Sequence, residues 1–416
     1  STGRSQMFWN RFLAGGVAAL LSASAITACS SDNSIAGANP VDPLFKTYVA
    51  IGNSITAGYQ SGGINDSTQM QSYAVLLAHS LNTGFRVPLL NRPGCPPPVD
   101  NFLTQHRVGG LTAGDCALRT PTPTPGALNN VAVPGATSLS PTGAVPGPDT
   151  LVENALTTLI LGGETQAQRA AEAQPTFVSV WIGNNDVLNA SLTGILPATP
   201  GISNGVTALP AFTTNYKSLV KALKAVPSIR GGVLIGVVNT ANVPLLFPAS
   251  TLFNPTIKGA FDQVAGPTTI DPATCSPSTT SLINFQLAAA IRAHTHPPTV
   301  YCEALPAPFQ PLGDVYVLDA TEQAAVTDTV TAYNTLIAAE ADTLGFAYYD
   351  PNPALVALRT STAVPIFPDL ADPTAAFGIY FSLDGVHPAA AAHVLLANNI
   401  IDAINAKYGT NVPHTQ

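Results

Sequence analysis

The chain has 416 residues, 46% of them hydrophobic and only 10% charged, and carries a net charge of -8. It can bury a large core, and its 16 Lys plus Arg form no run that would neutralise a phosphate backbone. Composition therefore excludes nucleic acid as a partner and leaves an uncharged or acidic substrate.

The amino terminus reads as a targeting segment. Arg4 and Arg11 precede an uncharged stretch from Phe12 to Ala28, rich in Ala, Leu and Gly and too short and small-residued for a membrane span. It runs into Ile26-Thr27-Ala28-Cys29, which resembles a bacterial lipobox; Met7, opening "MFWNRF", is a candidate start. On this reading residues 1–28 are a signal peptide and Cys29 is lipidated. Residues 29–44, small, polar and turn-forming, are a tether to a folded domain over 45–410. The expectation is an exported envelope protein held to a membrane by its lipid, or a secreted one if the cysteine is incidental.

Apolar, β-branched runs then recur at 47–52, 130–135, 176–183, 231–239 and 346–350 and predict buried parallel strands. Between them the spacing predicts helices over 69–82, about 150–173, 209–226, 322–345 and 388–407. The last opens on Pro388, suited to a first helical position, and carries Val394, Ala397, Ile401, Ile404 and Tyr408 at spacings of three and four. Strand and helix in alternation predict an α/β fold, a parallel sheet sandwiched by helices.

Two proline-rich stretches, 86–129 and 244–312, break the alternation and read as irregular insertions over the sheet edge. With Cys29 set aside for lipid, four cysteines remain, and three pairings are open to them. Cys95 with Cys116 and Cys275 with Cys302 is the expected pairing, because each pair falls inside one insertion and an exported chain can oxidise both. A zinc site lacks the close C-x-x-C spacing it favours. His294 and His296 alternate as a strand-borne metal pair would, but they precede Pro297 and Pro298 and read as loop residues; no metal is expected. His79 reads as a surface or helix-end residue, and Trp181 as core packing under a site.

The first strand ends in "VAIGNSITAGYQ", residues 49–60. A phosphate-binding loop would need a lysine after its last glycine, whereas Tyr59 and Gln60 follow Gly58. A G-x-S-x-G nucleophile elbow would need glycine at 56, where threonine stands. A third pattern fits. Gly52-Asn53-Ser54 with Gly58, "VPGAT" around Gly135, "GNND" at 183–186 and "DGVHP" at 384–388 appear in order, the first three after predicted strands. Here the sequence resembles the GDSL, or SGNH, hydrolase family from about residue 46 to residue 407, apart from the insertions.

The resemblance implies a three-layer α/β/α sandwich with a flavodoxin-like sheet. It makes Ser54 the nucleophile, His387 its base and Asp384 the orienting acid, with the Ser54 and Gly135 backbone N–H groups and the Asn185 side chain as the oxyanion hole. The chemistry agrees, because a serine hydroxyl needs an imidazole to remove its proton and that imidazole needs a partner to fix its tautomer. The expected reaction is carboxylic ester hydrolysis through an acyl-enzyme, without cofactor, on an acyl lipid or acylated small molecule; apolar, proline-rich insertions suggest walls for an acyl chain. A carbohydrate acetylesterase and a noncatalytic envelope binding protein are the alternatives, the latter motivated by the insertions and by Asn53, where the family usually has Asp.

Overall fold

The computed structural model describes residues 39–118, 122–143, 155–194, 206–303 and 316–416. The expected signal peptide and Cys29 lie outside the described residues, as does most of the tether.

The central sheet has four parallel strands in chain order: β1 (Tyr48–Gly52), β2 (Phe177–Trp181), β3 (Gly231–Ile235) and β4 (Ala347–Tyr349). A fifth segment lies outside β1. Asn130 bridges Ala50 in parallel, and the Val131 and Val133 N–H groups bond to the Ala50 and Gly52 carbonyls. The expected strand at 130–135 is thus reduced to one bridge and its flanking bonds, since the chain turns away at Pro134-Gly135. Counted with that segment, the spatial order is second, first, third, fourth, fifth, the doubly wound order of flavodoxin-like sheets, with its switch point at the carboxyl end of β1.

Strand alternation builds the layers. Tyr48 and Ala50 of β1 join one core cluster and Val49 and Ile51 the other, because successive side chains point to opposite faces. The first cluster is covered by helices α2 (Tyr73–Leu81) and α6 (Ala390–Tyr408), the second by α3 (Leu209–Lys224) and α4 (Ala320–Leu344). Two further helices matter for the site, the short α1 (Ser54–Ala57) and α5 (Asn352–Arg359).

Several elements differ from expectation. The helix predicted over 69–82 is two, Asp66–Met70 and α2, because Ser72 caps α2 by accepting the Val75 N–H. Of the helix at about 150–173, the described part is Ala155–Leu161 and Gln166–Glu172, parted by Gly162 and Gly163 at positive φ. Pro388 stands before α6, not within it, and pairs with Phe381 across a bridge.

The insertions are less irregular than their composition suggests. The first forms a hairpin, Val99–Asn101 with His106–Arg107. The second holds a helix at Pro255–Ala265, with Pro255 in its first turn and Asn254 as cap, another at Gln286–Arg292, and strands at Leu246–Pro248 and Leu282–Asn284 that form an antiparallel sheet with Val317–Leu318. Proline here punctuates elements rather than abolishing them. Cys95–Cys116 and Cys275–Cys302 are both disulfides, as paired from the sequence.

Candidate active site

Ser54 owes its position to the residues around it. Gly52 lets β1 run hard against the following turn, since a Cβ there would stand 2.1 Å from Thr56 Oγ1. Asn53 caps α1, its Oδ1 accepting the Ile55 N–H at 3.1 Å, and Gly58 closes the helix at φ +89. Ser54 is therefore the first helical residue, and its own N–H lies outside the intrahelical ladder. Asn53 retains the capping role that Asp would fill, although its buried Nδ2 finds no partner among the described residues.

The loop before the last helix brings Asp384 and His387. Ser54 Oγ and His387 Nε2 are 2.8 Å apart, and His387 Nδ1 is 2.8 Å from Asp384 Oδ2. Since an ionised carboxylate only accepts, Nδ1 carries the proton and Nε2 accepts from the serine hydroxyl. Asp384 Oδ1 also accepts the N–H groups of Val386 and His387 and the Ser382 hydroxyl, and Oδ2 accepts the Gly62 N–H at 2.8 Å. Burial alone would raise the Asp384 carboxyl, but the His387 charge, its hydrogen bond and these backbone donors hold it well below the usual carboxylate range. The Tyr59 ring packs 4.9 Å from the imidazole, its phenol pushed up to about 12 by burial and then by the Asp384 charge.

Gly135 and Asn185 lie on two other turns, which a hydrogen bond joins. Asn185 Nδ2 donates to Ala136 O at 2.9 Å, which ties it beside Gly135 and leaves one amide hydrogen. Gly135 is at φ +82, in the turn that Val133 fastens to Gly52. Asp186, almost fully buried, holds the same region together by accepting the Ser138 N–H and hydroxyl at 2.8 and 2.6 Å.

Ser54, Asn185 and His387 line a cavity of about 90 Å³. Its walls are Leu188, Leu355 and Leu358, together with Leu395 and Leu396 of α6, with Trp181 beneath. These walls do not come from the insertions, as the composition suggested. They come from the main fold, α5 and α6 above all, because a helix end over the sheet edge presents its apolar side chains to the site.

No motif in the sequence marks Ser61 or Ser382 as a site residue. Ser61 N–H donates to Ser382 Oγ and Leu383 N–H to Ser61 Oγ, so two loops 321 and 322 residues apart in sequence clasp the acid. The first insertion braces this clasp from behind: Val99 N–H bonds to Ser61 O, Ile64 N–H to Pro96 O and Cys95 N–H to Ile64 O. The paired glycines Gly62-Gly63 were the available signal, since a Cβ at Gly63 would strike Pro96 O and Pro98 N at 2.5 Å. The histidines left aside fall elsewhere: His79 in the last turn of α2, His294 and His296 in a loop, with His296 Nδ1 donating to Pro297 O. Among the described residues no group of three or more His, Cys, Asp or Glu could hold a metal.

A relay of carboxylate, imidazole and hydroxyl serves to make an alcohol attack an acyl carbon, which puts the chain among the serine hydrolases that cleave esters. Its sequence says which of them: over residues 48–400 it matches the profile of the GDSL-like lipase/acylhydrolases, and the chain belongs to that family. Solved structures similar to it include a catalytic mutant of an acetylxylan esterase from Geobacillus stearothermophilus (14% identity, 89% of this chain and 97% of that one, TM-score 0.37). Another is described as TesA (13% identity, 87% and 99%, TM-score 0.33), and a third is a family two carbohydrate esterase from Clostridium thermocellum (13% identity, 88% and 65%, TM-score 0.35). No curated protein matches the chain.

Proposed function

We propose that the protein hydrolyses carboxylic esters of apolar acyl chains through an acyl-enzyme on Ser54. His387 takes the hydroxyl proton as Ser54 attacks the acyl carbon, and returns it to the leaving alcohol. Water then repeats the sequence and releases the acid. Asp384 keeps the imidazole in its working tautomer, and the Ser54 and Gly135 N–H groups with the free Asn185 amide hydrogen meet the negative oxygen.

The observation that carries the acyl-chain reading is the leucine-walled cavity opening at Ser54 and His387. An acetyl group would leave such a wall wet; a chain of several methylenes gains about 0.8 kcal/mol for each one buried. The test compares wild type with Ser54→Ala on p-nitrophenyl esters from acetate to decanoate. The reading expects kcat/KM to rise with chain length and to vanish in the variant; a maximum at acetate would refute it.

Export and lipid anchoring through Cys29 belong to the same proposal. The leader over 1–28 and the Cys29 that follows it support it, as do two disulfides, which persist in oxidising compartments. Incorporation of labelled fatty acid in cells, and its loss in Cys29→Ser, tests it.

A further inference from the structure

A second cavity, of about 670 Å³, is lined by residues of both insertions together with Ser61, Gly62, Leu383 and Asp384. Phe102 of the first and Phe285 of the second stand 5.1 Å apart in its wall, and Leu245 and Val264 extend the apolar surface. Two arginines, Arg107 and Arg292, line the same space. The one acid among the lining residues, Asp384, sets a single negative charge against these two guanidinium groups, so the lining keeps a net positive charge. Arg107 is fixed by one Nη, which donates to Gly62 O and Pro97 O at 2.8 and 2.6 Å. Arg292 is exposed and makes no hydrogen bond or ion pair among the described residues. In a chain of net charge -8, a cavity whose lining is net positive and also carries two phenylalanine rings is a specific arrangement, cationic and apolar at once.

We propose that this groove binds a single-chain anionic amphiphile, its acidic head on Arg107 and Arg292 and its tail across Phe102 and Phe285. Guanidinium groups match carboxylate and phosphate heads through paired N–H donors, and the apolar wall supplies the remaining affinity. The groove is separate from the leucine-walled cavity and its occupancy does not depend on the ester reading.

The experiment is calorimetric titration of the full chain with decanoate, decyl phosphate and decanol, each below its aggregation concentration. Leu396→Trp, which fills the leucine-walled cavity, serves as the background so that tails entering there are not counted; Ala354→Trp is a second such variant should the first misfold. Saturable decanoate or decyl phosphate binding is expected in that background. It should weaken about tenfold when Arg292→Gln is added and for decanol, the loss of roughly one charge-assisted hydrogen bond. Decyl phosphate binding without decanoate binding would assign the head as phosphate; both binding would leave the acidic head as the determinant. No saturable binding of either anion, or an affinity unchanged by Arg292→Gln, would overturn the proposal. Arg292 is chosen because it is exposed, whereas Arg107 also holds Gly62.

Discussion

Ser54 and His387 stand 333 residues apart in the chain and 2.8 Å apart in the fold. The switch point of the sheet and the loop before the last helix create that contact, and each expected outcome below follows from how it is held.

Asp384→Asn removes the acceptor for His387 Nδ1–H and favours the wrong tautomer. Steady-state kinetics should show kcat reduced on the order of a thousand- to ten-thousandfold with KM little changed. Asp384 also shapes acid stability. Its folded pKa is depressed, so its contribution is complete above the unfolded value of about 3.9 and is lost as pH falls from there through the folded pKa. Urea midpoints measured from pH 5 downward should fall more steeply in wild type than in Asp384→Asn.

Asn185→Ala should lower kcat by roughly a hundred- to a thousandfold, the usual loss for one oxyanion donor, and, because the bond to Ala136 O goes with it, cost about 1 kcal/mol of stability. A matching rise in KM with kcat preserved would assign Asn185 to ground-state binding instead.

Asn53→Ala removes the cap of α1 and should cost about 1 kcal/mol of stability, read from urea denaturation. Asn53→Asp keeps the acceptor for the Ile55 N–H and removes the buried unpartnered Nδ2, so its activity should remain within about threefold of wild type.

His393 offers a separate pH signature. Its Nδ1 accepts the Tyr73 N–H at 3.1 Å inside the α2–α6 interface, and burial, with the His387 charge adding to it, lowers its pKa to about 3. Unfolding frees it to bind a proton below about 6.5, so its share of stability is complete above that pH and is lost progressively down to about 3. His393→Asn keeps an acceptor near Nδ1 and cannot titrate. Stability measured between pH 7 and 4 should decline less in this variant.

Much of the site was legible in the sequence because its residues sit where apolar runs give way to polar ones, Asn53-Ser54 after Gly52 and Asn184-Asn185 after Gly183. Order along the chain then supplied what no short motif could. The insertions were misread as irregular because their apolar residues come in pieces of two to five, too short to show a period. Composition points to them as cavity walls for the same reason: it reports apolar content, not which face that content lines. The clasp of Ser61 with Ser382 was invisible, since hydrogen bonds between loops leave no periodicity at all.

The link from Pro96 through Ile64 to Gly62, and on to the acid, carries a warning for protein engineers. Trimming the first insertion to obtain a minimal enzyme would leave the sheet and the nucleophile turn whole, yet the peptide that steadies the carboxylate would swing loose. What resembles ornament in an alignment is scaffolding for a single oxygen atom.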